Sequence, residues 1–285
     1  MFVARSLNEI VPALGGVCVP TMGAMHVGHA ALIRAAVDVA RAQRLAAGAV
    51  VTIFVNPAQF NERADFDRYP RDLDRDITFA ADAGANCVFA PDVETVYPPD
   101  APPTAPPLPQ VAATPGLEDT YRPGHFEGVC KVVHRLFDLL KPAAAIFGEK
   151  DWQQLQAVKA MVADCHLPVE IVGCPTVREL TGLAASSRNR LLSDDDRARA
   201  LAIPRALEAA AESAAPDHAQ RIMRDMLTAS DLTVEYAVVR DAARLLPFAS
   251  ERDAREQPGR ALIAARVGES GVRLIDNAPW GRIGP

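Results

Sequence analysis

"PTMGAMHVGHAAL", residues 20–32, lies where a short apolar β-type run gives way to a helical pattern. The apolar run occupies residues 17–19, and apolar side chains recur at helical spacing through residues 30–45. The turn between them contains two glycines and two histidines. This stretch therefore predicts a strand, a tight turn and a helix in succession, the unit from which α/β folds are built.

The same alternation of strand and helix continues through roughly the first 175 residues. Further strands are predicted at residues 49–55, 87–90, 144–147 and 169–174, and further helices at residues 72–83, 127–140 and 152–165. The strands are short continuous apolar runs, which is typical of parallel strands covered on both faces. The pattern predicts a Rossmann-like, doubly wound parallel sheet of the α/β class, which binds ligands beyond the carboxyl ends of its strands.

Two segments interrupt this alternation. Residues 98–109 contain seven prolines, which exclude a regular helix or a central strand and indicate an extended connection. Residues 178–196 are polar and rich in turn-forming residues. After them the pattern is helical and then β, with helices predicted at residues 194–213 and 217–229 and strands at residues 232–239, 260–267 and 272–275. We therefore predict a first domain at residues 1–178 and a small α+β C-terminal domain at residues 179–285.

Composition restricts the class of protein. The 285 residues are 49% hydrophobic and 23% charged, and the net charge of -6 argues against a nucleic-acid groove as the main binding surface. The longest apolar runs are too short to span a bilayer, and no secretory leader is recognised, so no membrane partner is expected. The five cysteines are widely spaced and include no C-x-x-C pair, which favours reduced packing residues in a cytoplasmic protein.

The turn at residues 20–28 has the residue types of a phosphate site. Gly23 and Gly28 allow a close approach of the backbone to a ligand, and the start of the following helix offers N–H donors. His26 and His29 lie three residues apart, so both side chains point to one side and can donate to one phosphate group. Two surface histidines, or a metal-binding pair, remain alternatives at this point.

Two better-known phosphate motifs do not fit this turn. Gly23 and Gly28 have the spacing of a P-loop, but His29 and Ala30 stand where that loop needs Lys and then Ser or Thr. No G-x-G-x-x-G follows the strand, which excludes a Rossmann dinucleotide fingerprint. The pattern predicts a phosphate-binding turn in which histidines replace the usual lysine.

In its fuller form, PTMGAMHVGH resembles the His-x-Gly-His loop of the class I nucleotidylyl transferases, and specifically the pantoate-β-alanine ligase family. Other segments resemble that family in the same order: FVNPAQFN (54–61), YPRDL (69–73), RPGHFEGV (122–129), FGEKDWQQ (147–154), SSRN (186–189) and RLIDN (273–277). The resemblance spans nearly the whole chain.

The resemblance implies a two-step reaction. ATP and pantoate, with Mg²⁺, form a pantoyl adenylate and pyrophosphate, and β-alanine then attacks the adenylate to give pantothenate and AMP. It also implies a homodimer, a first domain that binds ATP and pantoate, and a C-terminal domain that acts as a lid. No protein ligand of Mg²⁺ is assigned.

The resemblance also implies roles for individual residues. Catalysis is assigned to His29, His26, Lys150 and Arg188, since the reaction brings two anions together and needs donors and cations around the α-phosphate. The residues implied for ATP are Met22, Gly23, His26, Gly28, His29, Gly148, Lys150, Asp151, Val177, Ala185, Ser186, Ser187 and Arg188. Those implied for pantoate are Thr21, Met22, Gln59, Gln154 and Arg122.

Some positions in these motifs are assigned other roles, and two depart from the family pattern. Asn56 and His125 are predicted to be mainly structural. Ala185 stands where Met is usual, and Thr181 stands where an acidic residue is usual, before Gly182. The first change removes a soft contact to adenine without removing a charge.

Two other functions remain open on the residues alone. One is a different adenylyl or cytidylyl transferase that uses the same His loop on a phosphorylated acceptor. It would give no reason for the paired Gln59 and Gln154 or for the C-terminal domain. The other is a non-catalytic nucleotide-binding or scaffold protein, and the intact His26, His29, Lys150 and Arg188 argue against it.

Overall fold

The computed structural model describes residues 1–60, 66–67 and 69–281. Asn61, the last residue of the FVNPAQFN segment, and residues 282–285 lie outside the described residues. The chain divides into two compact units. The first comprises Met1–Glu149 and Gln154–Pro175, and the second comprises Lys150–Gln153 and Thr176–Pro285. The predicted boundary after residue 178, and the ligand-binding and lid roles assigned to the two domains, stay predictions.

The first unit contains a six-stranded parallel sheet, in which every strand but the first was predicted from an apolar run. Its strands are β1 (Phe2–Ala4), β2 (Val17–Thr21), β3 (Ala49–Ile53), β4 (Cys87–Phe89), β5 (Ala144–Gly148) and β6 (Glu170–Cys174). They lie side by side in the order β1-β4-β3-β2-β5-β6. The α/β prediction is confirmed.

The long helices of this sheet follow the predicted periodicity to within a few residues. They are α1 (Val27–Ala42), α2 (Leu73–Asp82), α6 (His125–Leu140) and α7 (Trp152–Asp164). Three short helices lie between α2 and α6, namely α3 (Val93–Val96), α4 (Gln110–Ala113) and α5 (Glu118–Tyr121). No helix or strand forms in the proline-rich residues 98–109, all of which are described.

The strand order reverses between β2 and β5, because the chain adds β3 and β4 on one side of β2 and β5 and β6 on the other. The β2–β3 ladder continues to Thr21, whereas the β2–β5 ladder stops at Cys18. Val17 donates its N–H toward β3, and since neighbours in a parallel strand face alternate sides, Pro20 faces β5. Proline has no N–H to donate, which explains why the β2–β5 pairing ends before the carboxyl ends of these strands.

The second unit is an α+β arrangement on a three-stranded antiparallel sheet, β7 (Leu232–Asp241), β8 (Gly259–Val267) and β9 (Val272–Trp280). The helices are α8 (Asp194–Ala200), α9 (Ala202–Ala211), α10 (Pro216–Ala229) and α11 (Glu251–Glu256). Leu207, Leu227 and Ile263 join one buried apolar core. The predicted α+β class is therefore confirmed for this part of the chain.

The largest difference from the predicted elements is in residues 194–213, where one predicted helix is two. The helix is interrupted at Leu201, between α8 and α9. Pro204 cannot donate to the carbonyl of Ala200, and its ring crowds that carbonyl, so a continuous helix is interrupted there. The short elements β1, α3, α4, α5 and α11 were not predicted, since one or two turns carry too little periodicity.

All five cysteines are free thiols. Burial raises the pKa of Cys87 and of Cys130 to about 12, so these thiols stay protonated in the folded chain. Cys165 is the partly exposed one. Among the described residues, no helix combines the length and the apolar character needed to cross a membrane.

Candidate active site

Hydrogen bonds of the Thr21 side chain tie the turn after β2 to strand β3. Thr21 Oγ1 donates to the Thr52 carbonyl over 2.6 Å and accepts from the Gly23 N–H over 3.2 Å. Gly23 adopts a φ of +79° and Ala24 a φ of +51°. Glycine at position 23 was predicted to allow a close approach of the backbone to a ligand, and its left-handed backbone is a separate physical reason for glycine there.

A buried carboxylate from α2 completes this turn. Asp76 Oδ2 accepts from the Ala24 N–H over 2.8 Å, and Asp76 Oδ1 accepts from the Met25 N–H over 2.9 Å. Asp76 is only 3% exposed. This residue was not predicted from the sequence, although its position one helical turn before Ala80, a buried residue of α2, is a signal that it lies on the buried face of that helix.

The two histidines cap the start of α1 reciprocally. His26 Nδ1 accepts from the Gly28 N–H over 3.1 Å, and His29 Nδ1 accepts from the His26 N–H over 3.2 Å. The ring centroids are 4.3 Å apart. Because Nδ1 accepts in each ring, the proton of the neutral imidazole is on Nε2, which makes both rings donors through the outer nitrogen.

The turn after β3 fixes Gln59. Asn56, fully buried, donates from Nδ2 to Gln59 Oε1 over 3.2 Å and to the Gly128 carbonyl over 3.0 Å. Tyr97 donates its hydroxyl hydrogen to Asn56 Oδ1 over 2.9 Å, and burial raises the Tyr97 pKa, so the donor proton is retained. Asn56 therefore has the structural role that was predicted, and it orients the Gln59 amide with the oxygen engaged.

Helix α6 approaches this turn very closely at Gly128. A Cβ at that position would lie 2.2 Å from the Ala58 carbonyl oxygen and 2.9 Å from the Gln59 N–H nitrogen. The RPGHFEGV and FVNPAQFN segments therefore depend on each other in space. Only glycine permits this contact.

Arg122 and His125 form a local cluster at the start of α6. Arg122 Nη1 lies 3.0 Å from His125 Nε2 and 3.8 Å from Glu118 Oε2. His125 and Glu118 are buried, and about a third of the Arg122 side chain is exposed. These contacts support the structural role predicted for His125, while a contact of Arg122 with pantoate stays a prediction.

Sheet topology brings three predicted segments to one edge of the first unit. Gln59 follows β3, residues 22–29 follow β2, and Gln154 lies in the first turns of α7, after β5. Because β3, β2 and β5 are adjacent and parallel, their carboxyl ends share one edge. Of the remaining predicted residues in this unit, Met22 and Gly28 are half-buried and Gly148 ends β5.

Lys150 and Asp151 belong to the second unit. Lys150 Nζ lies 3.7 Å from Asp151 Oδ1, and the Lys150 side chain is largely buried. Asn277 Nδ2 donates to the Lys150 carbonyl over 2.8 Å. Trp152 Nε1 donates to the Ala242 carbonyl over 2.8 Å, and the Arg260 guanidinium stacks 3.6 Å above the Trp152 ring. The RLIDN segment therefore anchors the backbone that carries Lys150.

The SSRN segment starts a short 3-10 helix, Ser187–Leu191. Ser186 Oγ accepts from the Arg188 N–H over 3.2 Å, and the Arg188 side chain is exposed. Asn189 is buried and donates from Nδ2 to Glu179 Oε1 over 2.7 Å. Arg197 donates to the other Glu179 oxygen over 2.6 Å and to the Asn189 carbonyl over 2.9 Å. This network anchors the segment through the buried Asn189. Ser187 is half-buried, and Arg188 is exposed.

A hairpin leads into that segment. Val177 accepts from the Ala185 N–H over 2.9 Å, so these two predicted ATP residues lie opposite each other. Arg178 binds both oxygens of the buried Asp276, at 2.7 Å and 3.1 Å. Asp276 belongs to the RLIDN segment, and this ion pair joins it to a residue 98 positions away along the chain.

The described residues hold no group of three or more His, Cys, Asp or Glu side chains suited to a metal ion. The metal pair that His26 and His29 left open on sequence alone therefore has no third ligand of this kind among the described residues.

Comparison with known proteins agrees with this architecture. The crystal structure of pantothenate synthetase from Thermus thermophilus superposes with a TM-score of 0.86 at 40% identity, over 98% of this chain and 99% of that one. The pantoate-beta-alanine ligase of Francisella tularensis, solved in complex with beta-gamma ATP and beta-alanine, superposes with a TM-score of 0.74 at 30% identity, over 98% and 97%. The pantothenate synthetase of Acidothermus cellulolyticus is 43% identical, over 97% of this chain and 91% of its own length.

Fold and relatives together define the class of protein, an α/β ligase built on a doubly wound sheet. The model of the pantoate-beta-alanine ligase family matches residues 9–279, and the chain belongs to that family.

Proposed function

We propose that this enzyme joins pantoate to β-alanine at the expense of ATP, through a pantoyl adenylate, and releases pyrophosphate and AMP. Membership of the pantoate-beta-alanine ligase family supports the two substrates that are joined. The Francisella tularensis relative was solved with beta-gamma ATP and beta-alanine, which supports ATP as the energy source. The adenylate and its products rest on the chemistry of the residues described below.

The observation that carries the proposal is the reciprocal cap of His26 and His29. Their backbone-bound Nδ1 atoms fix Nε2 as the donor in each neutral ring, at the N-terminus of a 16-residue helix. Preorganised donors at a helix start stabilise charge that develops on phosphate oxygens as the bond to pyrophosphate breaks. Because each Nδ1 accepts a hydrogen bond, Nε2 carries the proton and has no lone pair for a metal ion, so this orientation favours donation to phosphate oxygens.

The other phosphate contacts are proposed from residue chemistry. Lys150 and Arg188 supply positive charge, which offsets the repulsion between the pantoate carboxylate and the triphosphate. Ser186 and Ser187 supply short-range donors beside Arg188. The rest of the proposed ATP set comprises Met22, Gly23, Gly28, Gly148, Asp151, Val177 and Ala185.

Pantoate is assigned to amide and hydroxyl groups. Because Asn56 engages the Gln59 oxygen, the Gln59 Nε2 hydrogens are the part of that amide directed to a ligand acceptor. Gln154 offers a second amide at the same edge of the sheet. Thr21, Met22 and Arg122 complete the proposed pantoate set.

The proposed reaction consists of two successive displacements. A pantoate carboxylate oxygen bonds to the α-phosphorus, and the bond from that phosphorus to the bridging oxygen of pyrophosphate breaks. The β-alanine ammonium loses one proton to solvent, and the resulting amine nitrogen bonds to the acyl carbon. The carbon–oxygen bond then breaks to release AMP, and the nitrogen loses a second proton to solvent to give the amide. His26, His29, Lys150 and Arg188 act on the first displacement by stabilising phosphate charge.

Whether the protein itself could hold Mg²⁺ depends on the metal-ligating side chains that it offers. The described residues offer no cluster of three metal-ligating side chains, so a protein cage for Mg²⁺ does not fit them. Mg²⁺ commonly keeps its waters and binds substrate phosphates, which is the form in which it would accompany ATP. No step of the proposed mechanism is assigned to it.

The test is the dependence of AMP release on both substrates. The purified chain with ATP should release AMP only when pantoate and β-alanine are both present, with one pantothenate formed per AMP. Release of ADP, or pyrophosphate release with AMP transferred to a phosphorylated acceptor in place of pantoate, would contradict the proposal and favour a different transferase. ATP binding without turnover would favour a non-catalytic protein.

A further inference from the structure

The turn after β2 is organised by a carboxylate that none of the phosphate roles uses. We propose that Asp76 is a positioning residue, which locks the turn at residues 22–26 so that His26 and His29 face the α-phosphate. The inference rests on the proposed function for its catalytic consequence, and on hydrogen bonds alone for the lock itself.

Both oxygens of Asp76 are committed to this turn. They accept from consecutive backbone N–H groups, those of Ala24 and Met25, over 2.8 Å and 2.9 Å. Asp76 is almost completely buried. A buried carboxylate must be compensated by donors, and these two amides supply them, so the contact is costly to break from either side.

The turn needs such a lock because its backbone is unusual. Ala24 has a side chain and still adopts a φ of +51°, a conformation that non-glycine residues rarely adopt without local compensation. The Ala24 N–H donates one of the two hydrogen bonds that Asp76 accepts. The fit is tight as well, since a Cβ on Gly23 would lie 2.5 Å from Asp76 Oδ2.

The lock also explains why this turn differs from a P-loop. In a P-loop, backbone N–H groups of the turn donate to the phosphates. Here two backbone N–H groups of the turn already donate to the Asp76 carboxylate. Side chains at the start of α1 therefore have to bind the phosphate instead. His26 follows Met25 directly, and a shift of the turn would move its ring and, through the reciprocal cap, that of His29.

The experiment compares Asp76→Asn with Asp74→Asn in the full chain. Both substitutions remove one carboxylate from the first turn of α2, but Asp74 is exposed, so it controls for the loss of charge. In Asp76→Asn the amide group keeps one acceptor and faces one backbone N–H with a donor. Hydrogen exchange at the Ala24 and Met25 amides is measured beside steady-state kinetics.

We expect kcat for AMP release to fall about a hundredfold in Asp76→Asn, the effect of a misplaced catalytic group, while the pantoate KM changes less than about threefold. Exchange at Ala24 and Met25 should accelerate at least about tenfold, with protection elsewhere in the sheet retained. Asp74→Asn should match the wild type in both measurements.

Unchanged exchange at these two amides, or unchanged kcat, would overturn the inference. So would loss of protection across the whole sheet, since that marks a general folding role. Should Asp76→Asn fail to fold, Gly23→Ala disturbs the same contact from the turn and must give the same split of kcat and KM. A wild-type chain that releases no AMP would refute the proposed function, and the exchange data would then decide on the lock alone.

Discussion

His29 and His26 are the single residues on which the proposed chemistry depends most. Each ring is held by a backbone N–H at the start of α1, so neither has to reorganise when charge develops on the α-phosphate. The same bonds give His26 a second role, as the N-cap of α1.

Replacing His29 by Ala should leave a folded chain with a slow first step. Loss of one preorganised donor typically costs about 10² to 10³ in rate. The measurement is pyrophosphate release with ATP and pantoate, without β-alanine. His26→Ala should show a smaller loss of rate and, with the cap removed, a stability loss of about 1 kcal/mol. His218→Ala, at an exposed position, is the control, and normal pyrophosphate release by His29→Ala would refute the assignment.

Gln59 and Gln154 should determine pantoate affinity independently of ATP. Gln59→Leu or Gln154→Leu removes amide donors and leaves pantoate oxygens without partners, a loss of about 1 to 3 kcal/mol each. Calorimetric titration should show weakened pantoate binding and nearly unchanged ATP binding, with the exposed Gln110→Leu as control. Equal weakening of both ligands, or of ATP alone, would mean that the two sets of ligand residues are wrongly assigned.

Among helices and strands, the contact between α6 and the turn after β3 is the most restrictive. Gly128→Ala places a methyl group against the Ala58 carbonyl, a backbone group that cannot rotate away. We expect a loss of stability of about 1 to 3 kcal/mol from overpacking, and weaker pantoate binding because Gln59 moves with the turn.

Thermal unfolding and pantoate titration test this prediction, with Glu127→Ala as a matched exposed position on the same helix. A Gly128→Ala chain with wild-type stability and pantoate affinity would show that the turn and α6 are not coupled as described.

The elements that sequence predicted well are those whose signal is local. Helix α1 and strand β3 carry their periodicity within their own residues, and the glycine at position 23 indicates its turn by residue type alone. The Asp76 bonds join residues 51 and 52 positions apart, and no local pattern contains them. The helical pattern continues through the three residues before Pro204. The pattern therefore predicts one helix through the proline, and the break at Leu201 was missed.

The candidate site divides in the same way. His26, His29, Gln59 and Lys150 could be proposed from the sequence because their motifs are compact. The partners that hold them, such as Tyr97 on Asn56 or Asn277 on the Lys150 carbonyl, come from distant segments. Those partners are set by tertiary packing, which a single sequence does not encode at any fixed spacing.

For the chain as a whole, we expect a homodimer, on the resemblance to the family. Sedimentation velocity at micromolar concentration should give a species of twice the 30.5 kDa chain mass, unchanged on tenfold dilution. A single species at the monomer mass at micromolar concentration would contradict the expectation.

The central claim is that the chain activates pantoate as an acyl adenylate, and oxygen transfer tests it most directly. Pantoate labelled with ¹⁸O in its carboxylate is converted with ATP and β-alanine, and the AMP is analysed by mass spectrometry. The account predicts AMP heavier by one ¹⁸O atom, because the carboxylate oxygen that bonds to the α-phosphorus stays there when the carbon–oxygen bond breaks. Unlabelled AMP, or label found in inorganic phosphate beside ADP, would contradict it.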